Sequence, residues 1–183
     1  VSLIGVLALA LTLKYAFRNR FWWSAVPIMT IIPAWFLHSR TAFDPVMMAA
    51  FYACFVCAYL LYRYRSPRYL FAALAFAAAT CYSYPNGQAV MLVSGVLLLC
   101  SDLRYHLQVR RQPWLLLGAL VFALVLMVPL LRFRIEHPGA WEDQLRVLDS
   151  YVVRDIPLSE KIATFGTLYA QALDPRYWFF PNE

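Results

Sequence analysis

The residues best placed to do chemistry sit in one short stretch, His38-Ser39-Arg40-Thr41-Ala42-Phe43-Asp44-Pro45. It joins two apolar runs, 21–37 and 46–62, and holds the only Arg and the only carboxylate between them. Where such runs lie in a membrane, ionisable groups at their junction are costly and mark functional sites. A guanidinium holds a phosphate in a two-pronged grip, which makes Arg40 a phosphate-side candidate with His38 beside it. Asp44 is a candidate carboxylate at the mouth of a cavity. Each residue also has an ordinary role: Asp44 as an N-cap before Pro45 in a first helical turn, Arg40 as a cation snorkelling to headgroups. A second polar stretch, Tyr84-Pro85-Asn86-Gly87, is either a plain turn or the floor of a headgroup or sugar site, with Tyr84 and Asn86 as its polar groups.

Other chemistries find less support. Cys54 and Cys57 form a CxxC, but on an apolar segment without His or acid at zinc spacing. With Cys81 and Cys100 they read as small buried hydrophobes. His106 and His137 read as solvated or interfacial. No P-loop, GxSxG or GxGxxG occurs, so a cytosolic nucleotide site has no basis.

The elements that must position these groups are membrane-like. Of 183 residues, 62% are hydrophobic and 14% charged, and the mean hydropathy is +0.58. A water-soluble domain of this size needs far more surface charge. The net charge of +6 hides an asymmetry, since eight of the ten acids follow residue 135. The first part is nearly all Arg in its charge, which suits anionic lipid headgroups and lacks the basic stripe of a nucleic-acid module. Val1 opens inside an apolar helix without Met or basic n-region, so no signal peptide is read there, and the chain reads as an internal piece of a larger protein.

Six apolar segments are expected, at 1–16, 21–37, 45–62, 69–83, 88–103 and 114–131. The fourth and fifth are short for a span of about 20 residues, so they borrow flanking residues or form a sunken hairpin. Lys14, Arg18 and Arg20 mark the first connection, Arg63, Arg65 and Arg68 the third, and Arg104, Arg110 and Arg111 the fifth. The second has only Arg40 and the fourth none. The positive-inside rule therefore puts the His38–Pro45 and Tyr84–Gln88 turns, and everything after Leu131, on the extracytoplasmic side. Trp22, Trp23, Tyr62, Tyr64, Tyr69 and Trp114 read as an interfacial belt. The Ala-rich segment 72–79 predicts a helix inside the bundle, and Pro27, Pro33 and Pro129 predict kinks.

Two domains follow: a helical bundle over 1–131 and a polar extracytoplasmic segment over 132–183. In the latter, Trp141, Leu145, Leu148 and Val152 have helical spacing, and Glu142 pairs with Arg146 at i,i+4. Leu158, Ile162, Phe165, Tyr169 and Leu173 make a second stripe, with Ser159 as N-cap and Asp174-Pro175 as stop. These helices are expected on the outer membrane face or over a cavity. Arg176-Tyr177-Trp178-Phe179-Phe180-Pro181 suits the interface or a sugar ring.

The order of apolar helix, His38-Ser-Arg-x-Ala-Phe-Asp-Pro45, apolar helix, basic loop and Ala-rich helix ending Tyr82-Ser-Tyr-Pro-Asn-Gly87 resembles membrane glycosyltransferases of the GT-C type. Within these it is similar to the dolichyl-phosphate-mannose protein mannosyltransferases and their bacterial relatives, the aminoarabinose transferases among them (glycosyltransferase family 39). His137-Pro138-Gly139 and the closing Tyr177-Trp-Phe-Phe-Pro-Asn-Glu183 resemble the outer loops of bacterial members. The resemblance implies an all-α, polytopic fold in the cell membrane, with about six transmembrane helices and a short extracytoplasmic helical segment. It implies an inverting transfer of sugar from a polyprenyl-phosphate donor to a protein, lipid or glycan acceptor. In that chemistry a carboxylate acts as general base, and Arg side chains, sometimes with a divalent metal, stabilise the departing lipid phosphate. Asp44 matches the family's acid at an Asp-Pro span start. Arg40 carries over as a phosphate-side residue. The family's principal acid lies in its first outer loop, and nothing here matches that loop, so this stretch alone is expected to be inactive.

Two other classes compete. A carrier flippase would show inverted repeats and broken helices, and no repeat is visible. A non-catalytic membrane subunit would need neither Arg40 nor Asp44.

Overall fold

The computed structural model describes residues 1–40, 44–109, 112–147 and 149–174. Among them every regular element is helical. The helices are α1 (Ser2–Tyr15), α2 (Ala25–Ile31), α3 (Pro33–Arg40), α4 (Asp44–Tyr64), α5 (Tyr69–Ser83), α6 (Pro85–Ser101), α7 (Leu103–Val109), α8 (Pro113–Glu136), α9 (Ala140–Val147) and α10 (Leu158–Leu173). Two of them, α4 and α8, are long and apolar enough to cross a membrane. Four apolar stretches, Ser2–Tyr15, Trp22–Ile31, Tyr69–Ser83 and Pro85–Ser101, are shorter. Packing divides the chain into two units, Val1–Val128 and Pro129–Glu183.

The first unit is organised on α4. Small residues let α1 lie close along it, as expected where backbones must approach. A Cβ on Gly5 would sit 2.9 Å from both the Cα and Cβ of Ala50. Below that contact Ala8 clusters with Cys54 and Cys57, and Leu11 and Leu61 pack onto them. The residue numbers rise together on both helices, so α1 and α4 run parallel. The broken helix α2–α3 makes the return between them. Pro33 forces Ile32 out of helical geometry, to φ −68° and ψ 112°. Pro27 lies in the first turn of α2, where a missing N–H is tolerated. Pro129 lies inside α8, which continues to Glu136.

α5 packs antiparallel to α4. Ala73 joins Phe55, Ala58, Tyr59 and Tyr62 in the main core cluster. α6 then runs parallel to α4, tied by Tyr52 Oη to Ser94 Oγ at 2.8 Å. The rings of Phe71 and Phe122 meet edge to face at 5.8 Å, which sets α8 against α5. Tyr84-Pro85-Asn86-Gly87 is not a four-residue turn. Tyr84 alone is extended, and Pro85 opens α6 at its first turn. Gly87 is required there by close approach: an added Cβ would lie 2.2 Å from the Thr80 carbonyl oxygen. Gly87→Val is therefore expected to destabilise the unit by about 1–3 kcal/mol, read as a lower thermal midpoint. An unchanged midpoint would show that the α5–α6 crossing yields easily.

Tyr62 does not sit in an interfacial belt. It is 1% exposed, because its polar atoms find partners inside the bundle. Cys54 and Cys57 are buried as expected, whereas Cys100 is exposed.

In the second unit Glu142 and Arg146 form the expected i,i+4 pair at 4.0 Å. The stripe does not reach Val152 as one helix. α9 stops at Val147, Asp149 takes φ 48°, and Tyr151–Val153 is a short 3-10 turn capped by Ser150. α10 starts at Leu158 with Pro157 as its N-cap, so Ser159 lies inside the first turn. It ends before Asp174-Pro175 as expected. Its stripe Leu158, Ile162, Phe165, Tyr169 and Leu173 is exposed throughout. Arg110, Arg111, Leu148, the 176–181 aromatic patch and the Tyr177–Glu183 resemblance lie outside the described residues.

Candidate functional site

Parallel and antiparallel packing gives the first unit two polar ends. At one end α3 finishes at Arg40 and α4 begins at Asp44, both exposed. Trp35 of α3 reaches the α1–α4 contact, with its Cη2 3.1 Å from where a Gly5 Cβ would lie. Met48, four residues beyond Asp44 and so on the same helix face, approaches Gly87: its Cγ would be 3.3 Å from a Cβ there. The start of α4 and the Tyr84–Gly87 link thus share one end. Asn86 is exposed and Tyr84 half-buried at that link. The chain from Arg40 to Asp44 passes through 41–43, and His38's side chain, like 41–43, lies outside the described residues. Asp44 occupies the first turn of α4.

The opposite end holds a polar cluster that the sequence reading passed over. Asp102 follows α6 and is the only acid between Asp44 and Glu136. Its Oδ1 accepts from Arg63 Nε at 2.9 Å and its Oδ2 from Tyr59 Oη at 2.8 Å. His106 Nδ1 lies 3.1 Å from Tyr62 Oη, and its ring stacks on Tyr62 with centroids 5.9 Å apart. The Tyr105 hydroxyl donates to the Tyr62 carbonyl, and Arg63 lies over the Tyr105 ring at 4.4 Å. His106 is thus half-buried in a network rather than solvated. Burial works against the Asp102 charge. The hydrogen bonds from Arg63 and Tyr59, with the Arg63 charge, outweigh it and hold the carboxyl below the usual range. One signal was readable: Tyr59, Tyr62 and Arg63 share a helix face at spacings of three and four. Their partners stand some forty residues downstream, with no local mark.

The comparisons with known proteins return nothing. No family model, curated protein or solved structure matches the chain.

The two ends differ in what they can do. The Asp102 cluster binds α4 to the α6–α7 corner through Arg63 and Tyr59, so it acts as a clamp. Tyr59→Phe removes one bond to a carboxylate and is expected to lower stability by about 1.5–3 kcal/mol, measured by thermal unfolding. No change would show that a solvent molecule replaces the phenol. The Asp44 end presents an exposed carboxylate, a guanidinium and an exposed amide, which is the inventory of a binding or transfer site.

Proposed function

We propose that the chain belongs to the membrane domain of a GT-C type glycosyltransferase with about six spans. It takes sugar from a polyprenyl-phosphate donor and passes it to a protein, lipid or glycan acceptor on the extracytoplasmic face. One observation carries this reading: Asp44 and the Tyr84–Gly87 link lie at one end of the bundle, and Lys14, Arg18 and Arg65 line a cavity at the other. The positive-inside rule assigns the cationic end to the cytoplasm, which leaves Asp44 outside, where such donors present their sugar. α4 and α8 supply two full-length spans, and the shorter apolar helices supply the rest by tilt and local thinning. The exposed stripe of α10 is an apolar face for the outer leaflet.

In this reading Asp44 is a secondary acid of the cavity, while the principal acid that the resemblance implies takes the proton of the acceptor hydroxyl as it attacks the anomeric carbon and the lipid phosphate departs. Arg40 stabilises the departing lipid phosphate, and Tyr84 and Asn86 orient the sugar or headgroup. Among the described residues no group of three His, Cys, Asp or Glu collects to hold a metal. The principal acid that the family resemblance implies has no counterpart in these residues.

The test is sugar transfer in membrane vesicles carrying this chain with any flanking sequence of its gene, supplied with polyprenyl-phosphate sugar. Arg40→Gln is expected to raise the donor KM about tenfold or more, the value of one charge-assisted contact. An unchanged KM and kcat would remove Arg40 from the site. The break at Ile32–Pro33 favours one other reading, a carrier flippase with a discontinuous helix. Movement of labelled carrier across sealed vesicles without sugar transfer would select it.

A further inference from the structure

At the cationic end, two features that the transferase reading leaves unused join into one. The first is a cavity of about 360 Å³ lined by Lys14, Tyr15, Ala16, Arg18, Tyr64 and Arg65. Its cations are held by rings rather than by acids. Lys14 Nζ stands 4.7 Å from the Trp22 ring centre, and the Arg65 guanidinium 4.5 Å from that of Tyr15. Among the described residues no carboxylate pairs with Lys14, Arg18 or Arg65. Three cations gather at one opening with aromatic faces fixing two of them.

The second feature is an apolar trough of about 240 Å³, with hardly any polar lining. Cys54, Cys57 and Ala58 of α4 form its floor, α1 one wall and α5 the other. α1 lines it with Ile4, Leu7, Ala8 and Leu11, and α4 ends its share at Leu61. Residues three and four positions on share a helix face. Leu11 is followed at those spacings by Lys14 and Tyr15, and Leu61 by Tyr64 and Arg65. The cationic cavity is therefore the trough continued by one turn on both helices. The two lie end to end on one face of α1 and α4, apolar along the trough and cationic one turn beyond it.

A phosphate on a hydrocarbon chain matches that order of surfaces. The head would meet Lys14, Arg18 and Arg65, and the chain would lie over the small side chains of α4. We infer that this slot binds an anionic glycerophospholipid, with its phosphate in the Lys14–Arg18–Arg65 cavity and one acyl chain in the α1–α4–α5 trough. The cytoplasmic leaflet is the anionic one and attracts cations of this kind, and the apolar walls add the burial of each methylene. The inference rests on the membrane reading and not on sugar transfer.

The test uses the chain, with any flanking sequence of its gene, in nanodiscs of zwitterionic lipid. A trace of phosphatidylglycerol with a diazirine on its acyl chain is added and photolysed, and the labelled peptides are mapped. Labelling is expected to concentrate on the trough-facing residues of α1, α4 and α5, above that on the exposed face of α8. Excess phosphatidylglycerol should compete, and phosphatidylcholine or inorganic phosphate should not. Lys14→Gln with Arg65→Gln should cut trough labelling about tenfold, the loss expected for charged contacts, with α8 labelling as the internal standard. Equal labelling of α8 and trough in the unaltered protein, or no effect of the double variant, overturns the inference. Stronger competition by a polyprenyl phosphate overturns the glycerophospholipid assignment and hands the slot to the carrier. Loss of sugar transfer with intact trough labelling would instead count against the transferase alone.

Discussion

Asp44→Asn is expected to reduce sugar transfer by about 10²–10⁴-fold, the range for losing a carboxylate that takes part in acid–base chemistry, with membrane insertion unchanged. The amide keeps the size of the side chain and can still accept a hydrogen bond at the start of α4. It cannot take a proton. If Asp44 only caps its helix, the same substitution is nearly silent, because Asn and Asp cap about equally well. The variant therefore separates the two roles directly. Asp44→Ala adds a control: a capping role predicts a stability loss of about 0.5–2 kcal/mol and no selective loss of turnover. Full activity in both variants would remove Asp44 from the chemistry.

Asp102→Ala is the largest stability effect expected. It removes the acceptor of both Arg63 and Tyr59 and leaves a guanidinium beside the Tyr105 ring without its anion. Arg63 and Asp102 are 33% and 22% exposed, so the pair is neither fully solvated nor sealed. A loss of about 2–3 kcal/mol follows from hydrogen bonds to a charged group, well above the value of a surface pair. The same pair makes stability depend on pH. The Asp102 carboxyl is held below its unfolded value of 3.8. Its contribution is therefore fully present above that value and is lost as pH falls through the depressed folded one. Melting scans from pH 7 down to pH 3 should show a decline in the acid limb that Asp102→Asn flattens. Parallel declines in both proteins would place the acid sensitivity elsewhere.

What could be read from the sequence was what is local. α5 spans Tyr69–Ser83, the expected bounds, because its start follows a basic loop and its end precedes Pro85. The edges of α1 and α4 fall within about two residues for similar reasons. Pro27 and Pro33 carry the same local signal, so both read as kinks, whereas the chain leaves helical geometry at Ile32 before Pro33. Only the distance of each from a helix start decides which one breaks it. Val152 was assigned to one stripe with Trp141 because periodicity does not register the left-handed Asp149 between them. The Asp102 clamp was illegible for a different reason. Its partners come from α4, separated by a loop and two helices, and only the antiparallel return of α5 and the parallel run of α6 bring them together. The same return sets Gly87 against Met48 and so puts the second polar stretch at the end where α4 begins.

The lengths of α5 and α6 have a consequence for the lipid around them. At 1.5 Å per residue, the 15 residues of α5 rise only about 22 Å, against a hydrocarbon layer of roughly 30 Å. In the six-span reading proposed above, a bilayer meeting this hairpin dips toward it at the mismatch. The dimple falls over the Tyr84 link, beside the first turns of α4, and lowers the water line to the Asp44 carboxylate. In that reading a charge that would be costly at the level of the lipid tails is kept hydrated by the shape of the membrane.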